Sequence, residues 1–267
     1  MHQVTSQVES QVGGAGSPAL RGLLHGPPAT GTVVHAGSQA VYAEVGGRII
    51  GVLAHGAVHV PCAIATALPR LPDLPGIAVG APVTLGDGTL RVGPLSVGVA
   101  RLVSFVTPPL TPAAAQRLAA VPADLSPARD QLPAEALELL VAGDPAGVRA
   151  LVGRGDGLTP VGDDVLCGWL VTTRAGGRDT TAIADAVRAH LPRTTGLSAT
   201  LLRHAVDGEA ITPFRTALAV GDAAAVAALL AVGHTSGAGM LLGAHLALSA
   251  RHVLSAITNE ALEGSTR

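Results

Sequence analysis

Lysine is missing from this chain: every one of its 17 basic residues counted as lysine or arginine is arginine. That absence removes Schiff-base chemistry, a phosphate-loop lysine and a lysine general base. Arginine can still grip carboxylate or phosphate with its fork of donors. Aromatic residues are nearly absent too, with two Phe, one Trp and one Tyr in 267 residues. Base stacking on aromatic platforms is thereby excluded, and a net charge of -2 supplies no basic field, so nucleic acid is not an expected partner. The two cysteines, Cys62 and Cys167, form no CxxC pair, which argues against a zinc or redox motif and for free thiols in a reducing cytosol. The first 18 residues lack the basic and apolar regions of a signal peptide, and a cytoplasmic protein is expected. The stretch from Ala223 to Ala250 has no Asp, Glu or Arg, but GHTSGAG divides it into two apolar pieces too short to cross a membrane.

What is present is 48% hydrophobic residues, chiefly Ala, Val and Leu, enough for a sizeable core of closely packed elements. From Gly31 to Pro108, runs such as GTVVHAG, AVYAEV, RIIGVLA, TLRVG and LSVGVARLVSFV are β-branched and punctuated by Gly46-Gly47 and Gly86-Asp87-Gly88. They predict a small, mostly antiparallel sheet or open barrel. After the stiff TPPLTP connector, Ala- and Leu-rich runs at helical spacing follow one another, the last from Ser236 to about Ile257. The expected fold class is α+β: a flexible tail over 1–30, a small mostly antiparallel β domain over 31–108, and an α-helical domain over 112–267. His35, His55 and His59 fall in the β part without a ligand-like spacing.

The densest polar motif is Arg154 to Gly168, RGDGLTPVGDDVLCG, which runs into an apolar helical segment. A helix start has backbone N–H groups without intrahelical partners, and glycine lets a ligand come close to them. One N-cap needs one side-chain oxygen, yet Thr159, Asp163 and Asp164 crowd the same turn. Two further polar turns precede helices, Arg193 to Ser198 and Gly233 to Gly237. If all three helix starts converge, they make an anion pocket lined by Thr159, Thr195, Ser198, Thr235 and Ser236; if not, each is an independent capped turn.

The run Gly157-Leu158-Thr159-Pro160, then Gly162-Asp163-Asp164, together with Thr195-Gly196-Leu197-Ser198 and Gly233-His234-Thr235-Ser236-Gly237, resembles a bacterial family of oxamate carbamoyltransferase subunits. The likeness covers the C-terminal half and departs from the family pattern at Val161, Val165 and Thr235. It implies carbamoyl transfer in purine-nitrogen breakdown, with oxalurate and phosphate exchanging with oxamate and carbamoyl phosphate, inside an assembly with hetero-oligomeric partner subunits. The expected substrate-binding residues are Gly157, Thr159, Gly162, Arg193, Thr195, Ser198, Thr235, Ser236 and Gly237, with Arg203 a further candidate for a ligand carboxylate. Asp163, Asp164 and His234 are the candidate catalytic residues. One aspartate would serve as a cap or hold His234 or an arginine; the other would act as a general base, or ligate Mg²⁺ if that ion is used. A bare carboxylate beside an anion repels it, so a bridging metal or a proton is expected between them. Two other readings stand beside this one: a non-catalytic or regulatory partner that binds a small anion, and a stand-alone enzyme on another small carboxylate or phosphorylated metabolite.

Overall fold

The computed structural model describes residues 10–71 and 77–249. The chain divides into two compact units, Met1–Phe105 and Val106–Arg267.

The first unit holds strands β1 (Ser10–Gly16), β2 (Ala29–Ala36), β3 (Ala40–Val45), β4 (Arg48–Leu53), β5 (Ala63–Ala65), β6 (Pro82–Gly86), β7 (Thr89–Val92) and β8 (Leu95–Leu102). They form a closed barrel in the order β1-β5-β4-β3-β2-β6-β7-β8. This corrects the expectation of a small, mostly antiparallel sheet or open barrel. Two pairings are parallel, β1 with β8 and β4 with β5, and the first of them closes the sheet on itself. Closure leaves no strand edge unpaired. It depends on a segment assigned to a flexible tail, because Ser10–Gly16 reads SQVGGAG and carries little β propensity of its own. The glycines are there for close approach: a Cβ on Gly14 would lie 2.5 Å from the Ile64 side chain and 2.7 Å from the Ala65 carbonyl oxygen. Helix α1 (Pro18–Leu24) follows, capped by the Ser17 hydroxyl, which accepts from the Leu20 N–H at 3.1 Å. Its Leu20 and Leu24 enter the apolar barrel core with Val33, Ile50, Ile64 and Leu90. Residues 1–9 of the expected tail lie outside the described residues.

The second unit is helical: α2 (Pro112–Ala120), α3 (Ser126–Arg129), α4 (Ala134–Ala142), α5 (Val148–Leu151), α6 (Val161–Ala175), α7 (Thr181–His190), α8 (Gly196–Val206), α9 (Thr212–Val220), α10 (Ala223–Leu230) and α11 (236–249). The stretch 250–257, read as the end of the last helix, lies outside the described residues. The proline connector is tied to this unit by bonds from the Thr107 N–H to the Gly208 carbonyl and from the Leu110 N–H to the Ala175 carbonyl, at 2.9 and 2.8 Å. Helix α6 is the axis, with every residue from Val161 to Thr173 buried. An all-round buried helix needs neighbours at very close range, and glycine provides it. A Cβ on Gly168 would sit 2.1 Å from the Met240 carbonyl oxygen, and one on Gly243 would sit 2.1 Å from the Val165 carbonyl oxygen. Helices α6 and α11 therefore touch backbone to backbone, and this contact roofs the first turn of α6.

Candidate functional site

Helix α6 begins after Pro160, whose ring supplies no side-chain cap, so Asp163 and Asp164 lie inside the first turn and neither is the N-cap. The two are 0% and 2% exposed. Their surroundings differ sharply.

Asp163 is fully engaged. One carboxylate oxygen accepts from the Gly153 N–H at 2.9 Å, and the other accepts from the Ser198 hydroxyl at 2.7 Å and from the Thr194 hydroxyl. Burial pushes this carboxyl above the usual carboxylate range, while its three donors pull against that rise. It ties the end of α5, the start of α6 and the start of α8 into one knot. Thr194 and Gly153 were not among the expected site residues; the doubled Thr194-Thr195 before Gly196 was the available signal for the first.

Asp164 points elsewhere. One of its oxygens is buried without any hydrogen-bond partner. Burial pushes this carboxyl well above the usual range, the Ser236 hydroxyl opposes that rise, and the neighbouring Asp163 adds to it. Ser236, at the start of α11, also lies 2.9 Å from the Thr159 hydroxyl in the loop before α6. The Thr195 hydroxyl donates to the Leu158 carbonyl of that loop at 2.5 Å while accepting from the Ser198 N–H at 3.1 Å, which makes it the cap of α8. The starts of α6, α8 and α11 are thus joined through Thr159, Asp163, Asp164, Thr194, Thr195, Ser198 and Ser236.

The remaining expected residues take other places. The Arg193 guanidinium donates to the Arg149 carbonyl at 2.7 Å, a cap for the short α5 rather than a pocket cation. Arg203 and His234 are exposed, and among the described residues no ion pair joins Arg193, Arg203 or His234 to either aspartate. The Thr235 carbonyl accepts from the Gly239 N–H at 2.8 Å, an ordinary first-turn bond of α11. Gly162 and Gly237 admit backbone, since a Cβ there would lie 2.0 Å from the Leu151 carbonyl oxygen and 1.9 Å from the Leu229 carbonyl oxygen. Gly157 has φ +89° and open space around it, so its requirement is conformational.

The donor set does not fit Mg²⁺. Both oxygens of Asp163 already accept protein donors, and among the described residues no group of three or more His, Cys, Asp or Glu could hold a metal ion. A cavity of about 670 Å³ opens elsewhere in the unit, between Glu138–Gly143, the Trp169–Thr173 stretch of α6 and the start of α7. Its walls are mostly apolar and include none of the joined helix starts, so the convergent polar groups, not the larger hollow, define the candidate site.

The described class is an α+β chain whose helical unit knots three helix starts around a pair of buried carboxyls. Residues 151–248 of it, from the end of α5 into α11, match the family described as oxamate carbamoyltransferase subunit AllH, which bears out the resemblance to that family. No solved structure matches the chain. Among the described residues no helix is long and apolar enough to cross a membrane.

Proposed function

We propose that the chain is a subunit of a carbamoyltransferase assembly and that its joined helix starts bind one of the small anionic reactants, carbamoyl phosphate, phosphate or oxamate. The observation that carries this reading is the buried, half-unpartnered Asp164 carboxyl behind the Ser236 and Thr159 hydroxyls, within the stretch that matches the family. Three helix starts are joined here by hydrogen bonds, and the positive ends of their dipoles favour an anion beside them. In the transfer, the amide nitrogen of oxamate attacks the carbamoyl carbon, phosphate leaves, and the nitrogen gives up a proton. The contribution assigned to this chain is to hold the leaving oxyanion and meet its growing charge with hydrogen-bond donors. Asp163 positions the turn, Asp164 faces the ligand side, and His234, exposed at the start of α11, is the candidate to exchange a proton with solvent. The word subunit in the family's description is the basis for expecting different partner chains.

A second reading, a non-catalytic partner whose junction only sets assembly, is favoured by one observation: the bonds around Asp163 close on protein groups alone. Calorimetric titration of the purified chain with carbamoyl phosphate, phosphate and oxamate separates the two. Binding of one of these ligands, weakened about tenfold or more in Asp164→Asn, supports the anion site. No heat with any of them, alone or with partner subunits, leaves the assembly role.

A further inference from the structure

A carboxyl at the back of an anion site needs its charge offset, either by a cation or by a proton. Among the described residues, Asp164 makes no ion pair and belongs to no group of His, Cys, Asp or Glu that could hold a metal ion. It does have an unbroken run of hydroxyls leading outward: Ser236 on the carboxyl, and Thr159 at 2.9 Å from Ser236, half-buried in the loop. A hydroxyl gives one proton and can accept in return, so in a run of this kind every bond points the same way. The group at the buried end sets that direction. An ionised Asp164 would draw both hydroxyls inward and leave Thr159 presenting lone pairs, which repel an oxyanion. A neutral Asp164 gives its proton to Ser236, Ser236 gives its own to Thr159, and Thr159 is left with its O–H free to donate outward.

We infer that the site meets its oxyanion with an outward-directed chain of donors, Asp164 to Ser236 to Thr159, started by the proton of a neutral carboxylic acid instead of by a metal ion. The proposal rests on the reading of this junction as an anion site and specifies how that site stays compatible with a buried carboxyl. The Ser236 hydroxyl pulls the carboxyl down, against the rise that burial causes, while the titratable groups near Asp164 favour a neutral acid. On α6 these are Asp163, whose charge disfavours a second one nearby, and the buried Cys167 thiol, itself pushed well up by burial and by both aspartates. Among the described residues, the titratable groups on the adjoining stretches, His234 at the start of α11 and Arg154 and Asp156 in the loop before α6, are exposed. The full burial of the carboxyl pushes it in the same direction.

The test starts with the ligand-free protein. Infrared difference spectra between wild type and Asp164→Asn at neutral pH should contain the carbonyl band of a protonated carboxylic acid; carboxylate bands in its place would overturn the proposal. Ser236→Ala adds an independent check that survives poor folding of the asparagine variant. If the acid donates to Ser236, losing that acceptor lowers the titration midpoint of the band; a raised midpoint means Ser236 donates inward, and the proposal is wrong. Phosphate titrations then read the outer end: Thr159→Val should weaken binding about tenfold, with no difference between EDTA and added Mg²⁺. Binding that requires Mg²⁺, or that ignores Thr159→Val, also sinks it. A wild type with the acid band but no affinity for any oxyanion would support the proton assignment while removing the carbamoyl-transfer reading, so the two failures are distinct.

Discussion

Adjacent aspartates on one helical turn have been given opposite work by their neighbours. Asp163 is surrounded by donors, and Asp163→Ala would leave the Gly153 N–H and the Thr194 and Ser198 hydroxyls without their acceptor. A buried group so orphaned costs about 1–3 kcal/mol, and since Ser198 is buried and the other two half-buried, this variant should lose about 2–3 kcal/mol in denaturant unfolding. Asp164→Asn should do the reverse. Its folded carboxyl titrates well above the unfolded one, so the folded state holds a proton that the unfolded state has already released. The sign follows: with more protons bound when folded, stability falls as pH rises from the unfolded carboxylate range near about 3.9 toward the folded value. Asparagine removes that loss. The variant should therefore melt at or above wild type at neutral pH with a flatter pH dependence, while carbamoyl transfer drops by about a hundredfold, the usual scale for a proton-donating group. A variant that melts far lower while its folded fraction stays fully active would make Asp164 structural. Sequence order made both residues visible as candidates but gave them one description, because burial and hydrogen-bond partners come from α5, α8 and α11, up to some eighty positions away.

At the level of elements, the glycines deserve reassignment. Read in sequence, Gly162 and Gly237 suit a loop that lets a ligand in; folded, they let in the carbonyls of Leu151 and Leu229. The same holds along α6 and α11, where a Cβ on Gly168 or Gly243 would lie 2.1 Å from a backbone oxygen. Neither clash can be relieved by turning a flexible side chain. Gly243→Ala should separate the helices and cost about 3 kcal/mol or more, seen as a lowered melting temperature and, because α11 carries Ser236, as weakened anion binding in the folded fraction. Gly157→Ala is the contrast: there is space for the methyl, and the expected loss of about 1 kcal/mol comes from its positive φ. Most helix positions were readable in advance because apolar spacing and proline starts are local signals, and apart from the short α3 the helices from α2 onward fall on the runs that carry them. Which helices touch was not readable, since a glycine in sequence looks the same whether it faces a ligand, a turn or another backbone.

Across the whole molecule, the β unit depends on its first described strand. Removing residues 1–16 deletes β1, takes one partner each from β8 and β5 and opens the barrel. That truncation should lower the melting temperature of the β signal in circular dichroism or abolish its cooperative transition; an unchanged transition would show that closure is dispensable. By itself, the sequence determined most elements and their order, strands between Gly31 and Pro108 and helices after the TPPLTP connector, because side-chain periodicity and proline geometry act within a few residues; β1 and α1, in the stretch read as a tail, were missed. It also determined the three polar helix starts and the likeness to the carbamoyltransferase subunit family, both written in short contiguous blocks. Closure of the barrel, the meeting of those three starts and the division of labour between Asp163 and Asp164 were decided only by the tertiary structure. Each of these depends on groups far apart in the chain, whose pairing is selected by the packing of the whole unit and not by any local preference.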